Sequence, residues 1–344
     1  MANKWSATAL FDRLSHVSLG GSTCLYSLET CEKMVPLINE ILELKERQDA
    51  IILAHSYVSP EILVTVADAV GDSYELSLKA KQATEKTIVF AAVKFMGETA
   101  KLLNPEKQVL IPSQKNGCSL ADSITQSQVK QLRSEYPDHT FVCYINTTAE
   151  VKAECDVCVT SSNVTQIVSQ IDNDKIYFLP DRLMGQNLVN ELAEKGVKKE
   201  VKYWDGTCYV HEDYDPELVA YIRQKHPKAA IVSHPECSES VVALSDYVGS
   251  TSQMMNYVKE HEADQYFLLT ECGLTSRLQT EVPNKQFIGS CSMCKYMKSN
   301  TLDGILQTLK EPESAININI DQRIQKKARS CIDAMFDYNQ PIKR

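Results

Sequence analysis

The pattern of hydrophobic and polar positions repeats three times along the chain. Short apolar runs of about four to seven residues alternate with segments whose polar residues fall on one helical face. Uninterrupted apolar runs of this length are typical of parallel strands that helices cover on both sides. Three stretches that begin at Ala50, Thr140 and Ala229 can be aligned, and each opens with such a run. The pattern predicts three similar α/β units.

Each predicted unit carries the same landmarks in the same order. The first run ends in a polar residue, which is His55, Asn146 or His234. An aspartate and a serine follow, and these are Asp68 and Ser73, Asp156 and Ser161, and Asp246 and Ser250. Each unit closes on a cysteine 63, 62 or 60 residues after its polar strand end, at Cys118, Cys208 or Cys294. Residues beyond the carboxyl ends of parallel strands face the ligand crevice, so we expect these residues to meet there.

The repeat predicts a fold and its approximate boundaries. We expect three similar doubly wound α/β/α domains in a pseudo-threefold arrangement, with elements that can be exchanged between neighbouring units. The predicted ranges are 1–36 for an N-terminal extension, 37–124, 125–214 and 215–310 for the three units, and 311–344 for a C-terminal helix and tail.

The three repeat cysteines predict one shared metal site. A single cysteine of this kind is most often a small buried hydrophobic residue. Three of them at matching positions favour a different interpretation, because a pseudo-threefold arrangement directs Cys118, Cys208 and Cys294 towards a common axis. Three thiolates that meet on an axis can bind one metal centre.

Two Cys-x-x-Cys pairs, Cys155/Cys158 and Cys291/Cys294, could by their number form a four-cysteine zinc site. However, 132 residues lie between the pairs, and the first pair flanks a strand, so we interpret Cys155 and Cys158 as core thiols. The repeat selects Cys294 as the ligand and leaves Cys291 as a spare thiol or a redox partner of Cys294. No role is assigned to Cys24, Cys31, Cys143, Cys237, Cys272 and Cys331.

Several polar residues of the predicted crevice are candidates for catalysis. His211 follows Cys208 by three residues and could be a second ligand, a proton donor or a substrate clamp. His234 and Glu236 offer an acid/base pair at one strand end. Tyr57 and Tyr144 flank the other two strand ends, as core residues or as proton donors.

The serines of the repeat are candidates for anion binding. Ser73, Ser161, Ser250 and Thr251 are predicted to begin helices, where hydroxyl and backbone N–H groups can hold phosphate or carboxylate. Ordinary helix capping explains each of them taken alone. Because all three helices are predicted to start in one crevice, we favour the anion site.

Composition narrows the setting of this chemistry. The 344 residues carry a net charge of −9 without a basic patch, so we expect no nucleic-acid partner. Twelve cysteines are too few for a disulfide scaffold of this size, and no apolar segment is long enough to cross a membrane. These features favour a reducing, cytoplasmic environment and no membrane association.

The motifs that carry these residues resemble quinolinate synthase, the bacterial and plastid enzyme of NAD biosynthesis. The matching segments, in chain order, are AHSYVSPEI, ADAVGDSYELS, FMGETAKLLNPEK, GCSLADS, YINTTAEVKAECDVCVTSSN, WDGTCYVHE, HPEC, VGSTSQM and CKYMKSNTL. The resemblance covers residues 40–310. It implies three similar α/β domains around a central [4Fe–4S] cluster that is held by Cys118, Cys208 and Cys294.

The resemblance also implies a reaction. Three protein ligands leave one iron of the cluster open, where it can act as a Lewis acid on substrate oxygens. The implied reaction condenses iminoaspartate with dihydroxyacetone phosphate and releases phosphate and water to give quinolinate. L-aspartate oxidase is the implied source of iminoaspartate.

Site roles follow from the matching motif positions. The resemblance implies that Glu236 is the general base and that a set of aromatic and polar residues surrounds the substrates, namely His55, Tyr57, Tyr144, Asn146, His211 and His234. It implies that hydroxyl groups hold the phosphate and carboxylate oxygens, from Ser73, Ser161, Ser250 and Thr251. Two alternatives remain open at this point, another [4Fe–4S] hydro-lyase of small polycarboxylates and a non-catalytic zinc-binding protein.

Overall fold

The computed structural model describes residues 4–19, 23–24, 26–289 and 292–340. The chain begins with α1 (Ala7–Leu14), a hairpin of β1 (Ser18–Leu19) and β2 (Thr23–Cys24), and α2 (Leu28–Arg47). Serine hydroxyls cap both helices, because Ser6 accepts from Ala9 N–H and Ser27 accepts from Thr30 N–H. The predicted boundary between residues 36 and 37 falls inside α2, so the first unit is entered on a helix that starts in the N-terminal segment.

The chain then builds three α/β units in succession. The first contains β3 (Ala50–His55), α3 (Pro60–Thr65), β4 (Ala69–Gly71), α4 (Ser73–Gln82), β5 (Thr87–Ala91), α5 (Lys94–Leu103) and β6 (Gln108–Ile111). The second contains α6 (Gln126–Glu135), β7 (Thr140–Tyr144), α7 (Ala149–Lys152), β8 (Val157–Val159), α8 (Val164–Gln170), β9 (Lys175–Leu179), α9 (Arg182–Glu194) and β10 (Glu200–Tyr203). The third contains α10 (Tyr209–Glu212), α11 (Pro216–Lys225), β11 (Ala229–Ser233), α12 (Glu239–Val242), β12 (Tyr247–Val248), α13 (Thr251–Glu260), β13 (Gln265–Leu269), α14 (Gly273–Glu281) and β14 (Phe287–Ile288).

The three main sheets share one topology. Their strand orders are β4-β3-β5-β6, β8-β7-β9-β10 and β12-β11-β13-β14, and all of these pairings are parallel. In each unit the first strand therefore lies between the second and the third, and a crevice opens where the order reverses. The parallel α/β sheets predicted from the apolar runs are confirmed, whereas the domain boundaries and the pseudo-threefold arrangement stay predictions.

One aspartate clamps the first two strands of every unit. The carboxylates of Asp68, Asp156 and Asp246 accept from the N–H groups of Ile52 (2.8 Å), Phe141 (2.8 Å) and Ile231 (2.7 Å). Each also pairs with a base on the preceding helix, from Lys45 (2.6 Å), Arg133 (3.0 Å) and Arg223 (2.9 Å) respectively. This clamp explains why each predicted repeat carries an aspartate at that position.

A second repeated contact sets the position of the three cysteines. Backbone N–H groups just beyond the third strands, from Lys94, Arg182 and Cys272, donate to the carbonyls of Asn116 (2.8 Å), Gly206 (2.7 Å) and Ser292 (3.0 Å). Those carbonyls belong to the residues two positions before Cys118, Cys208 and Cys294. The three cysteines thus occupy equivalent places, while the predicted role of Cys291 lies outside the described residues.

The C-terminal elements tie the units together. After the third unit come α15 (Leu302–Lys310), β15 (Ile316–Asn317) and α16 (Gln322–Tyr338). Helix α15 packs on α2, β15 pairs antiparallel with β6 of the first unit, and α16 packs on β8 and α7 of the second unit. Among the described helices, none has the length and apolar character needed to cross a membrane.

Candidate active site

One cavity collects residues from all three units at the carboxyl ends of their sheets. Thirteen of the fourteen site residues predicted from the sequence line it, and they are His55, Tyr57, Ser73, Cys118, Tyr144, Asn146, Ser161, Cys208, His211, His234, Glu236, Thr251 and Cys294. Their shared position follows from the strand ends, because each first strand stops at its polar residue or one or two residues before it. The predicted crevice is therefore one shared cavity.

Glu236 is the most constrained acid of the cavity. Its carboxylate accepts from the Tyr144 hydroxyl (2.6 Å) and contacts His211 Nδ1 (3.0 Å), and His234 Nδ1 lies 3.7 Å away. Burial raises the pKa of Glu236, but His211 and the Tyr144 hydroxyl, which hydrogen-bond to the carboxylate, outweigh burial and lower it to about 2. A carboxylate that stays ionised in this cavity can act as a base.

His55 and His234 are held neutral. Burial lowers the pKa of His55 to about 3, and the charge of Arg277 acts in the same direction. Burial also lowers the pKa of His234 to about 3, with His211 as a further cause, and the rings of His211 and His234 stack at 4.6 Å. Both imidazoles therefore present one donor and one acceptor nitrogen to the cavity rather than a positive charge.

A chain of hydrogen bonds joins Tyr57 to Glu236. The Tyr57 hydroxyl lies between Thr251 Oγ1 (2.8 Å) and Thr270 Oγ1 (2.7 Å), and Thr270 Oγ1 lies 2.9 Å from His211 Nε2. Because a carboxylate can only accept, His211 donates to Glu236 through Nδ1, and its Nε2 then accepts from Thr270. Two residues that are 179 positions apart in the sequence are thus linked through Thr270 and His211.

The predicted helix starts are confirmed at α4 and α13, whereas the start predicted at Ser161 is wrong. Helix α4 is capped by Asp72, so Ser73 is its first helical residue, and Ser161 lies in a turn ahead of α8, whose cap is Asn163. Ser250 is the cap of α13, since its hydroxyl accepts from Gln253 N–H (3.3 Å).

Ser250 is also the one predicted site residue that does not line the cavity. Its hydroxyl donates to Asp72 Oδ2 (3.2 Å), which joins the caps of two helices from different units. Thr251, the next residue, faces the cavity and contacts Tyr57. Ser250 therefore serves as a helix cap, whereas Thr251 occupies the position from which a side chain can contact a ligand.

The three repeat cysteines line the same cavity as half-buried residues. Burial raises the pKa of Cys118 to about 12 and also raises the pKa of Cys294. Burial raises the pKa of Cys208 well above its ordinary value, and the charges of Glu236 and Cys118 add to this. Three sulfurs that resist ionisation together become thiolates when a cation lies between them. This donor set fits a thiolate-held iron–sulfur cluster.

Sequence reasoning missed Glu271 and Lys298. The fully buried Glu271 carboxylate accepts from the N–H groups of Gly273 (2.6 Å) and Cys294 (3.2 Å), and it pairs with Lys298 (3.1 Å). Lys298 also donates to the carbonyl of Tyr57 (2.5 Å). The only signal in the sequence was an acid two residues beyond the end of β13, while its partners come from distant segments. This ion pair fixes the loop of the third cysteine against the strand end of the first unit.

Comparison with known proteins agrees with the geometry. Residues 39–337 match the family described as Quinolinate synthetase A protein. Quinolinate synthase 2 of Mesorhizobium japonicum is 42% identical over 299 residues, which cover 87% of this chain and 90% of that protein. The quinolinate synthases of Sinorhizobium medicae (40% identical, 89% and 83% covered) and Xylella fastidiosa (41% identical, 87% and 86% covered) are similar over nearly the same length. The chain belongs to the quinolinate synthetase A family.

Proposed function

We propose that this chain is a quinolinate synthase that condenses iminoaspartate with dihydroxyacetone phosphate and releases phosphate and water. The observation that carries the proposal is the convergence of residues from three units on one cavity, which joins an ionised base, two neutral imidazoles and three thiols. Family membership adds the reaction itself, because the similar proteins carry the name quinolinate synthase.

We propose that Cys118, Cys208 and Cys294 hold a [4Fe–4S] cluster and leave one iron without a protein ligand. The equivalent positions of the three cysteines and their shared cavity support this assignment. When bound, the cluster supplies an open iron that acts as a Lewis acid on substrate oxygens. Glu271 supports this site from the protein side, because its carboxylate holds the backbone N–H of Cys294 in place.

Proton transfer is assigned to the network around Glu236. The ionised Glu236 carboxylate removes a proton from the substrate carbon. Before this step, hydrogen bonds with His211 and the Tyr144 hydroxyl stabilise the negative charge of Glu236. Tyr57 at the far end of the network donates a proton to the departing oxygen. Thr270 connects Tyr57 with His211, so a proton can pass along the network from Glu236 to Tyr57 between steps.

Anion binding is assigned to the hydroxyl and amide groups that line the cavity. Ser73 at the first turn of α4, Ser161 in the turn before α8 and Thr251 at the first turn of α13 direct hydroxyl or N–H groups to the cavity. Among the described residues, Asn146 Oδ1 is a buried acceptor without a hydrogen-bond partner, which leaves it for a donor on a substrate. Neutral His55 can donate to a carboxylate without requiring a buried positive charge.

The cellular setting is proposed as well. Iminoaspartate is the two-electron oxidation product of aspartate, and we propose L-aspartate oxidase as its source. A cytoplasmic location fits the free thiols that a reducing compartment preserves.

A zinc site is the second candidate for the cavity. The ligand atoms of Cys208, His211 and Glu236 all lie within 4.8 Å of one another, so small side-chain shifts would bring them onto one metal ion. This arrangement leaves Cys118 and Cys294 without a role. A zinc protein would be colourless and would contain no sulfide.

Anaerobic purification followed by an assay with iminoaspartate and dihydroxyacetone phosphate tests the proposal. We expect quinolinate as the product and a brown protein that contains iron and acid-labile sulfide. Glu262→Gln is a matched control for Glu236→Gln, since the Glu262 side chain is 89% exposed and lies outside the cavity. Absence of quinolinate from an iron-loaded protein would leave another hydro-lyase as the explanation, and zinc without iron would favour the second candidate.

A further inference from the structure

Four cysteines meet in the core of the second unit, outside the cavity. Cys143 lies on β7, Cys158 lies on β8 directly beside it, Cys155 precedes β8, and Cys331 lies on α16. The Sγ atoms of Cys143 and Cys331 are 3.5 Å apart. All four side chains are buried. We call these four residues the thiol cluster.

The thiol cluster has the geometry of a hub rather than of a metal site. The thiols of Cys155, Cys158 and Cys331 all interact with Cys143, which stands at the centre. A metal ion requires several ligand atoms around one point. Within the described residues, the group that meets this requirement within 4.8 Å is that of Cys208, His211 and Glu236 in the cavity. The thiol cluster is therefore better suited to disulfide formation by Cys143 than to metal binding.

The surroundings of Cys143 favour a reactive thiolate. Burial raises its pKa, but the nearby thiols of Cys155, Cys158 and Cys331 and the charge of Lys152 outweigh burial and bring the pKa well below its ordinary value. Lys152 is itself fully buried, and among the described residues its ammonium donates only to neutral oxygens, the carbonyl of Ile145 (2.8 Å) and the carbonyl and hydroxyl of Thr147. A buried ammonium next to a thiol favours the thiolate, which is the nucleophilic form.

Cys331 is the partner that can approach Cys143. A disulfide bond is about 2.05 Å long, so the two sulfurs must come about 1.5 Å closer than they are now. Cys158 sits on a strand whose backbone is hydrogen-bonded in register with that of Cys143, which resists such a shift. Cys331 sits on helix α16, which is held on the second unit by packing rather than by the hydrogen bonds of a sheet, so it can shift more easily than a central strand.

We propose that Cys143 and Cys331 are an oxidisable dithiol whose disulfide locks helix α16 onto the second unit. With hydrogen peroxide as the oxidant, the Cys143 thiolate attacks one oxygen, forms a sulfenic acid and releases hydroxide. The Cys331 sulfur then attacks the sulfenic sulfur, the S–S bond forms, and the oxygen leaves as water after the thiol proton has been transferred. Two thiols are oxidised, and one peroxide is reduced to two waters.

The position of α16 connects this dithiol to the cavity wall. Asn339, directly after α16, donates to the hydroxyl of Tyr74 (2.6 Å), and Tyr74 lines the cavity beside Ser73. At the other side of the disulfide, Cys143 directly precedes Tyr144, whose hydroxyl binds Glu236. A disulfide would thus fix two segments that carry cavity residues, across a separation of 188 positions in the sequence.

Access to the buried thiols requires α16 to undock transiently. Arg329 on this helix donates to the carbonyls of Leu102 and Leu103 (both 3.0 Å) at the end of α5. Arg323 on the same helix pairs with Asp321 two positions before it, and its side chain is 91% exposed. Loss of Arg329 should therefore speed oxidation, whereas loss of Arg323 should not.

Peptide mapping of the full-length protein tests the proposal. The anaerobically purified protein is treated with hydrogen peroxide, quenched in acid, alkylated in denaturant and digested without reductant. We expect a peptide pair that joins Cys143 to Cys331, is released by dithiothreitol, is absent from Cys331→Ala and persists in Cys155→Ala. Arg329→Ala should form the pair several times faster than Arg323→Ala.

Two outcomes would overturn the proposal, and peptide mapping of the wild-type protein is enough to detect either of them. One is a link from Cys143 to Cys155 or Cys158 in place of Cys331. The other is complete alkylation of Cys143 and Cys331 after peroxide treatment. Deuterium exchange adds a second measurement, because the disulfide should slow exchange in α16 of the wild type and leave it unchanged in equally treated Cys331→Ala.

Discussion

Two groups of cysteines in this molecule show how geometry separates metal ligands from redox partners. The cavity cysteines, Cys118, Cys208 and Cys294, come one from each unit and line open space. The thiol cluster is drawn from the second unit and α16, and the sulfurs of Cys143 and Cys331 lie 3.5 Å apart. Both groups bring cysteines together from distant segments, so proximity by itself does not identify a ligand.

The protonation states of the two groups differ because the thiols have different neighbours. In the cavity, burial raises the pKa of each thiol, so a bound cation is needed to make three thiolates. In the thiol cluster, neighbouring thiols and Lys152 lower the pKa of one thiol, Cys143, without any metal. The neighbours of a cysteine therefore determine whether it is suited to bind a metal or to be oxidised.

The largest expected effect separates the two groups directly. Cys294→Ser should abolish both iron binding and quinolinate formation, because one of three ligands is lost, and Cys118→Ser and Cys208→Ser should behave alike. Cys155→Ser should keep iron and most activity, since its thiol lies outside the cavity. Iron and sulfide content with activity, measured on anaerobic preparations in parallel, checks this. Cys291→Ser is expected to retain the cluster, and loss of iron comparable to that of Cys294→Ser would contradict the assignment of one ligand per unit.

The next effect distinguishes cavity chemistry from cavity metal binding. Glu236→Gln and Tyr57→Phe should each lower kcat by about 10²- to 10⁴-fold, because they remove a proposed base and a proposed proton donor. Iron content should stay at the wild-type level in both, since neither residue is a proposed ligand. Steady-state kinetics and iron analysis on the same samples provide the measurement. Near-normal turnover in both variants would disprove the assigned roles.

A pH effect should belong to the cavity and not to the thiol cluster. The folded pKa values of His55 and His234 are about 3, below the ordinary value of 6.5, so below pH 6.5 the unfolded chain binds more protons than the folded protein. The free energy of unfolding should therefore fall as the pH is lowered, by about 2–3 kcal/mol per pH unit between pH 6 and pH 4. The lowered pKa of Glu236 adds to this loss only below about pH 4.5.

Urea unfolding at several pH values measures this slope. A variant with both His55→Asn and His234→Asn should show a smaller slope, because the two groups that titrate differently in the folded and unfolded states are gone. Cys155→Ala in the thiol cluster serves as the control and should keep the wild-type slope. An equal slope in the double variant would mean that other groups govern the pH dependence.

The smallest expected effects separate Ser250 from Thr251. Ser250→Ala should lower the free energy of unfolding by about 1 kcal/mol through loss of the cap and should leave KM unchanged. Thr251→Val should raise KM by about tenfold or less, since one hydroxyl that faces the cavity is lost. Thermal unfolding and KM for dihydroxyacetone phosphate, measured for both variants, check this difference. A raised KM in Ser250→Ala would restore the direct role that the sequence predicted for Ser250.

The sequence by itself determined the repeated frame of this protein. Buried parallel strands require uninterrupted apolar runs, so the strand ends at His55, Asn146 and His234 can be read from local pattern alone. The aspartate clamp and the three cysteines recur at similar distances from these ends, because each unit is built on the same topology. Thirteen cavity residues could be predicted for that reason.

Only the tertiary structure decided which of these residues are partners. The hydrogen-bond chain from Tyr57 through Thr270 and His211 to Glu236, and the Glu271–Lys298 ion pair, join segments that no sequence spacing relates. The contact of Cys143 with Cys331 arises in the same way, because α16 folds back across 188 positions onto the second unit. Hydrophobic periodicity is a local property and fixes the ends of strands and helices, whereas side-chain partners depend on how those elements pack.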